Sequence, residues 1–327
     1  MKKVFTVLAL VCSLSPFVHA QQITSTFFGM GFNAWKQTPA SDANGQLAKV
    51  YDCRNWDSAT KLGQINTAAG QYNWRNFDAF VQKAQAQQCA ILYTLGDTPA
   101  YMVGTTPNPS PCLQPGPQSC LPPKDVNSDG TGTDAMMLQL AEDFFKRNAA
   151  VIPRLELWNE PDFKGFWNGT TAQLVRVTND WATVARKYNP TIEIYSPSYH
   201  GPTMATKFDQ YYKAGGNLWD TLNVHGRGSG TSNANAEYFL TILGQIQSEL
   251  EKLKIHPPIV DDEYGLLTYS GVTDPDMIQA FYGTAVVLRA GAGIKRQYPY
   301  QWDSPAPYNF QGSLSGNAYN AVATWLM

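Results

Sequence analysis

Eight short runs rich in β-branched and aromatic residues alternate with helix-patterned segments along this chain, and that alternation constrains the fold most. Strands reached through intervening helices pair in parallel, because a parallel neighbour requires a long crossover. The strand-like runs fall at 27–32, 49–53, 90–95, 154–160, 191–195, 222–225, 258–263 and 293–300. Helical patterns occupy 75–88, 134–149, 171–188, 206–213, 234–253, 274–290 and 316–327. Within 234–253, Ile242, Leu243, Ile246, Leu250 and Leu253 recur at helical spacing. Asp274 and Pro275 supply a cap and a first-turn residue for the helix after them. Eight such units predict an α/β fold, a (β/α)8 TIM barrel. No internal repeat or linker interrupts it, so a single domain is expected over 21–327. The sequence stops inside the last helical pattern, at Trp325-Leu326-Met327, which leaves room for a further C-terminal piece.

Residues 1–20 read differently. Lys2 and Lys3 precede an apolar run from Val4 to Val11, and Val18-His19-Ala20 offers small side chains for cleavage. This is the pattern of a secretory signal peptide, so a secreted or periplasmic protein is expected. No segment is long and apolar enough to suggest a membrane span. A formal net charge of −2 with 15% charged residues gives no basic surface for nucleic acid or an anionic membrane. The aromatic content of 13% leans mildly towards carbohydrate, since ring faces stack on sugars, although they also fill cores. Beyond Cys12, four cysteines remain. Cys112 and Cys120 flank a turn-rich stretch and are expected to be bonded. Cys53 is placed near the end of one strand and Cys89 at the start of the next, opposite ends of parallel neighbours, so a bond between them is not expected.

In an α/β barrel, catalytic groups stand at the carboxyl ends of strands. The fourth run ends in Leu157-Trp158-Asn159-Glu160-Pro161. Pro161 has no N–H to continue a ladder and is expected to hold Glu160 extended. The seventh run ends in Asp261-Asp262-Glu263, with Ile259-Val260 before it indicating a buried approach. Strict alternation puts Asp261 on the side of Glu263 and turns Asp262 towards the helices. Two carboxyl groups facing one another across such a mouth can divide proton transfer and nucleophilic attack between them. Glu160 and Glu263 suit that task, with Asp261 as the second choice for the latter. Glu156 lies too deep on its strand and is expected to pair with a base inside the barrel, since an unpaired buried carboxylate is costly.

Arg54-Asn55-Trp56-Asp57, Tyr72-Asn73-Trp74, Trp158-Asn159-Glu160-Pro161 and Asp262-Glu263-Tyr264-Gly265 follow one another in the chain. Together they resemble the retaining glycoside hydrolases of clan A and are most similar to glycoside hydrolase family 39, which covers β-xylosidases, iduronidases and bacterial exopolysaccharide hydrolases. The resemblance implies hydrolysis of O-glycosidic bonds, with Glu160 as acid/base and Glu263 as nucleophile. It implies Arg54 beside the nucleophile, and His225 and Asn159 near the sugar. Tyr298, Trp302 and Trp35 are candidates for lining the site, against core packing. Arg227 stands where the clan places an aromatic residue, which puts the usual Tyr partner of the nucleophile in doubt. The acid should carry a raised pKa.

A monomer acting on a poly- or oligosaccharide, without cofactor or metal, is the expectation. A carbohydrate-binding barrel without catalysis is the alternative. A metal-dependent hydrolase is disfavoured because His200, His225 and His256 lack ligand spacing. Asp125-Val126-Asn127-Ser128-Asp129-Gly130 matches half of a calcium loop, but Met136 takes the place of the required acid, so either a turn or a site completed by other loops is left. Asn168-Gly169-Thr170 is a glycosylation sequon discounted because the leader is of bacterial type.

Overall fold

The computed structural model describes residues 23–32, 50–105, 110–113, 118–227, 235–266, 272–300 and 314–327. The leader at 1–20 lies outside these residues. Eight barrel strands follow one another: β1 (Gly29–Phe32), β2 (Asp52–Asn55), β3 (Ala90–Thr94), β4 (Arg154–Glu156), β5 (Glu193–Tyr195), β6 (Leu222–His225), β7 (Ile259–Tyr264) and β8 (Arg296–Pro299). One sheet runs β1-β2-β3-β4-β5. A second runs from the short segment Tyr199–His200 through β6 and β7 to β8. All these pairings are parallel. Single parallel bridges, Phe28 to Gln297 and Tyr195 to Thr221, join the sheets at both seams and close the predicted (β/α)8 barrel. The chain leaving β5 still touches strand four through Asn159 and Ser198, then crosses to pair Tyr199 and His200 with β6. Strand five is thus shared between the two sheets.

The helices α1 (Arg75–Ala86), α2 (Ala135–Asn148), α3 (Thr171–Tyr188), α4 (Met204–Lys213), α5 (Tyr238–Leu253), α6 (Pro275–Gly291) and α7 (Leu314–Leu326) lie where the apolar periodicity placed them. Among the described residues, no helix is long and apolar enough to cross a membrane. A capping box starts α3: Gln173 N–H donates to Thr170 Oγ1 (3.1 Å) and Thr170 N–H to Gln173 Oε1 (2.9 Å). Phe77, Tyr93, Phe144 and Trp181 interlock between helices and sheet. Leu92, Tyr195, Val260 and Tyr298 form a separate buried cluster. Gly29 is required there, since a Cβ would fall 2.3 Å from the Tyr298 ring.

Two disulfides form. Cys112–Cys120 is the expected one. Cys53–Cys89, with Cα atoms 5.8 Å apart, corrects the expectation that these residues lie at opposite strand ends. Strand β2 begins at Asp52, so Cys53 stands near its start, where Asp52 pairs with Ala90 directly after Cys89. Polarity misled the boundary: Arg54 and Asn55 look like loop residues but continue the strand into a charged interior.

The calcium-like stretch is a turn that leads into α2. Asp125 Oδ2 accepts from Thr133 Oγ1 (3.0 Å) and Ala135 N (2.8 Å), and Asp129 Oδ1 accepts from Thr131 N (2.9 Å). Arg176 already occupies the carbonyls of Gly132 (3.1 Å) and Thr133 (3.1 Å). Asp134, fully buried and with φ at 47°, lies next to these groups. Burial and the nearby carboxyls of Asp180 and Asp125 push its carboxyl up to about 8. A carboxyl raised above its unfolded value is stabilising below about pH 4 and loses that contribution as pH rises through the folded value. Asp134→Asn, which keeps the shape of the neutral acid without the titration, should therefore stabilise at pH 8 and leave pH 4 unchanged. Urea midpoints at the two pH values measure this; equal shifts would contradict it.

Candidate active site

At the carboxyl ends of the strands, β2, β4, β6 and β7 aim polar groups at one another. Arg54 of β2 is the hub. It is wholly buried and donates from Nε to Glu156 Oε2 (2.9 Å), from Nη1 to Glu263 Oε2 (2.7 Å) and from Nη2 to Asn159 Oδ1 (2.6 Å). Its Nε also lies 3.2 Å from Asp262 Oδ2. A guanidinium suits this position, because its planar fork serves several carboxylates together.

Glu156 of β4 is the buried carboxyl expected to find a base, and Arg54 is that base. Thr94 Oγ1 (2.6 Å) and Ser198 Oγ (2.7 Å) donate to it as well. Burial, opposed by Arg54 and reinforced by the charge of Asp262, pushes Glu156 up to about 8.

Glu160 follows β4 at the mouth. Its φ of 41° is left-handed, which corrects the expectation of an extended residue before Pro161. A turn holds it there: Glu160 N–H donates to Ser198 Oγ (3.2 Å), and Phe163 N–H to Glu160 O (3.0 Å). Such strained backbone persists only where surrounding bonds enforce it.

His225 ends β6 between two acids. Nδ1 lies 2.7 Å from Glu160 Oε1, and Nε2 lies 2.9 Å from Asp262 Oδ1. An imidazole flanked this way donates from both nitrogens and is cationic. Burial would lower its pKa, but the hydrogen bonds to Asp262 and Glu160 and their charges lift it to about 9. Asp262 is correspondingly held down, to about 2, where Arg54 and His225 outweigh burial.

Both Asp262 and Glu263 therefore face the interior, which corrects the alternation read from the sequence. The pairing of β7 with β8 shifts register between Asp261 and Tyr264. Such a bulge re-aims consecutive side chains. Asp261 turns away instead, to Arg289 of α6, whose Nε (2.7 Å) donates to its Oδ2. Arg289 also stacks 3.7 Å from the Tyr264 ring centroid. Asp261 is thus no rival to Glu263.

Arg227, two residues beyond β6, completes the site. Its Nη2 is 3.3 Å from Glu160 Oε1 and is ion-paired with Glu263 Oε1. It fills the place where the resemblance expected an aromatic residue. Glu160 consequently does not carry the raised pKa expected of an acid. Burial alone would raise it, but the Arg227 charge and the His225 hydrogen bond and charge hold it well below the usual carboxylate range.

The structure brings Glu160, Glu263, Arg54, Asn159 and His225 together. Tyr298 does not join them. It is fully buried against Leu92, Tyr195 and Val260, towards Asp52 at the start of β2. Trp35 and Trp302 lie outside the described residues. Asp262 was turned the wrong way, and Thr94 and Ser198 were missed; of these two, only Thr94, near a strand end, gave any hint. Donor atoms of Glu156, His225 and Asp262, and of Glu160, His225 and Glu263, fall within 4.8 Å of one another. Neither set suits a divalent cation, because both nitrogens of His225 act as donors and Arg54 and Arg227 already sit among the acids.

The fold is a (β/α)8 barrel with an acid pair across its mouth, and solved structures of several glycoside hydrolases superpose on it. A glucosidase from Croceicoccus marinus does so with a TM-score of 0.68 at 15% identity, covering 92% of this chain and 68% of that one. A GH39 enzyme from Xanthomonas axonopodis pv. citri gives 0.67 at 15% identity, covering 93% and 68%. A GH39 β-xylosidase from Caulobacter crescentus gives 0.61 at 17% identity, covering 94% and 73%. At such identities the likeness is one of fold. No protein-family model matches the chain, and no curated protein does.

Proposed function

We propose that the protein is an exported, monomeric, retaining O-glycoside hydrolase acting on a poly- or oligosaccharide by double displacement. The observation that carries this reading is the meeting of the two acids at the barrel mouth: one oxygen of Glu160 and one of Glu263 lie within 4.8 Å, and Arg227 Nη2 reaches both carboxyl groups. Retaining enzymes bring their carboxyl groups to about 5–5.5 Å, closer than inverting ones, which leave about 6.5–9.5 Å for a water, and so near an approach of the two acids favours the retaining scheme. In this scheme Glu263 attacks the anomeric carbon while Glu160 gives its proton to the departing oxygen. Water then attacks the resulting ester, returning its proton to Glu160 and freeing Glu263. Arg54 orients both Glu263 and the Asn159 amide, whose remaining N–H groups suit a sugar hydroxyl. A carbohydrate-binding barrel without catalysis would have no use for two acids held so close. The two disulfides accord with an oxidising compartment.

Glu160→Ala should lower turnover of glycosides with poor leaving groups by about 10²- to 10⁴-fold, the usual share of a general acid. Activated aryl glycosides should suffer less, and azide should restore part of the rate by attacking the glycosyl-enzyme. The first product resolved by proton NMR should keep the anomeric configuration of the substrate. An inverted product would refute the double displacement.

A further inference from the structure

Arg227 sits where a sugar would have to sit. Its Nη2 contacts Glu160 Oε1 at 3.3 Å and pairs with Glu263 Oε1, so one guanidinium spans the two carboxyl groups that must embrace the scissile bond. Its backbone is anchored from behind. Gly226 N–H donates to Asp261 Oδ1 (3.0 Å), Arg289 Nη2 donates to Gly226 O (2.8 Å), and a Cβ on Gly226 would fall 2.2 Å from Asp261 Oδ2. The side chain is the movable part. It is 22% exposed, while those of Glu160 and Glu263 are 7% and 2% exposed. Its Nε is buried without a hydrogen-bond partner among the described residues, and its Cζ lies 5.5 Å from the Tyr300 ring centroid while Nη2 reaches the acids.

We infer that Arg227 is a positioning residue that closes the gap between the two acids in the free protein and is displaced by the incoming sugar, so that Glu160 takes up the proton it must donate. The inference rests on the hydrolase reading above. Glu160 is faced by His225 and Arg227 from strand six and its loop, His200 from the segment after β5, Arg54 from β2 and Glu263 from β7. The charge of Arg227 opposes protonation, as do the hydrogen bond and charge of His225. Once it leaves, burial and the neighbouring Glu263 carboxyl favour the neutral acid, with His225 still hydrogen-bonded to it. The proton comes from solvent, one per occupied site, so binding and protonation are linked. A neutral Glu160 then meets the leaving oxygen, and the guanidinium that would have stabilised its anion is out of the way.

Carboxyl titration by NMR on protein labelled with ¹³C at the glutamate side chains tests this without substrate. Glu160→Gln assigns the resonance, and Arg227→Ala and Arg227→Lys provide the comparison. The Glu160 midpoint should rise by about one pH unit or more in Arg227→Ala, a tenfold or greater change in proton affinity, with Arg227→Lys in between. In kinetics, the alkaline limb of kcat/KM, which reports the free protein, should lie at lower pH than that of kcat. Arg227→Ala should bring the two limbs together. An unmoved Glu160 midpoint in Arg227→Ala overturns the inference, and so do limbs that already coincide in the native protein. If no glycoside is hydrolysed by either form, the hydrolase reading fails, and the carboxyl titration alone decides whether Arg227 governs Glu160.

Discussion

Glu263→Ala is expected to abolish turnover of every glycoside, whatever its leaving group. Removal of a nucleophile takes away the bond-forming partner itself, so an activated leaving group gives no relief. The loss should reach roughly four orders of magnitude or more, as for other groups that act as a unit with their neighbours. The same substitution deprives Arg54 and Arg227 of an ion-pair partner each. Stability at neutral pH should fall only modestly, since Arg54 keeps Glu156, Asp262 and Asn159. Steady-state rates on a panel of aryl glycosides, together with thermal unfolding, separate the chemical effect from a folding defect. A folded Glu263→Ala protein with native activity would remove Glu263 from the chemistry.

The second large effect is expected at Arg54. Arg54→Met fills similar volume but leaves Glu156, Asp262 and Glu263 without their shared counterion, and all three are buried. Breaking a buried ion pair from one side destabilises by about 3–5 kcal/mol. The direction with pH follows from Asp262. In the native protein its folded pKa is depressed, so it contributes stability above about pH 4, its unfolded value, which is lost as pH falls towards about 2. Without Arg54 that contribution shrinks. Urea midpoints should therefore separate the two proteins widely at pH 7 and much less at pH 3. A gap that is the same at both values would mean that Arg54 matters through packing and not through charge.

The parts of this molecule that were legible in the sequence are those set by periodicity and by chain-breaking residues. Helices α1 to α7 announce themselves through apolar spacing, and β6 through a short apolar run between turns. Glu160 and Glu263 were legible because each stands at the end of an apolar approach, one before a proline. What stayed hidden depends on single-residue offsets. A bulge in β7 changes no hydrophobicity, so Asp261, Asp262 and Glu263 look alike in the sequence while one faces Arg289 and two face Arg54. The Cys53–Cys89 bond was hidden by a strand that starts at Asp52, as polar Arg54 and Asn55 are part of the strand and not its exit. Tyr298 is an aromatic residue near a strand end like any other until its depth in the barrel is known. Arg227 shows in the sequence only as a missing aromatic; that it would span both acids is a three-dimensional fact.

The barrel closes as two half-shells that meet at single bridges, and the acids are divided between them. Arg54, Glu156, Asn159 and Glu160 belong to the first shell or its loops, whereas His225, Asp262 and Glu263 belong to the second. The links from Arg54 to Asp262 and Glu263, and from His225 to Glu160, therefore work as keys across the joint. Halves that docked one residue out of step would strand these charges in the interior without partners, an arrangement that is strongly penalised. Correct closure and the proposed chemistry thus depend on the same atoms. A chain whose halves meet out of step would therefore hold only half of the charge cluster on either side of the joint.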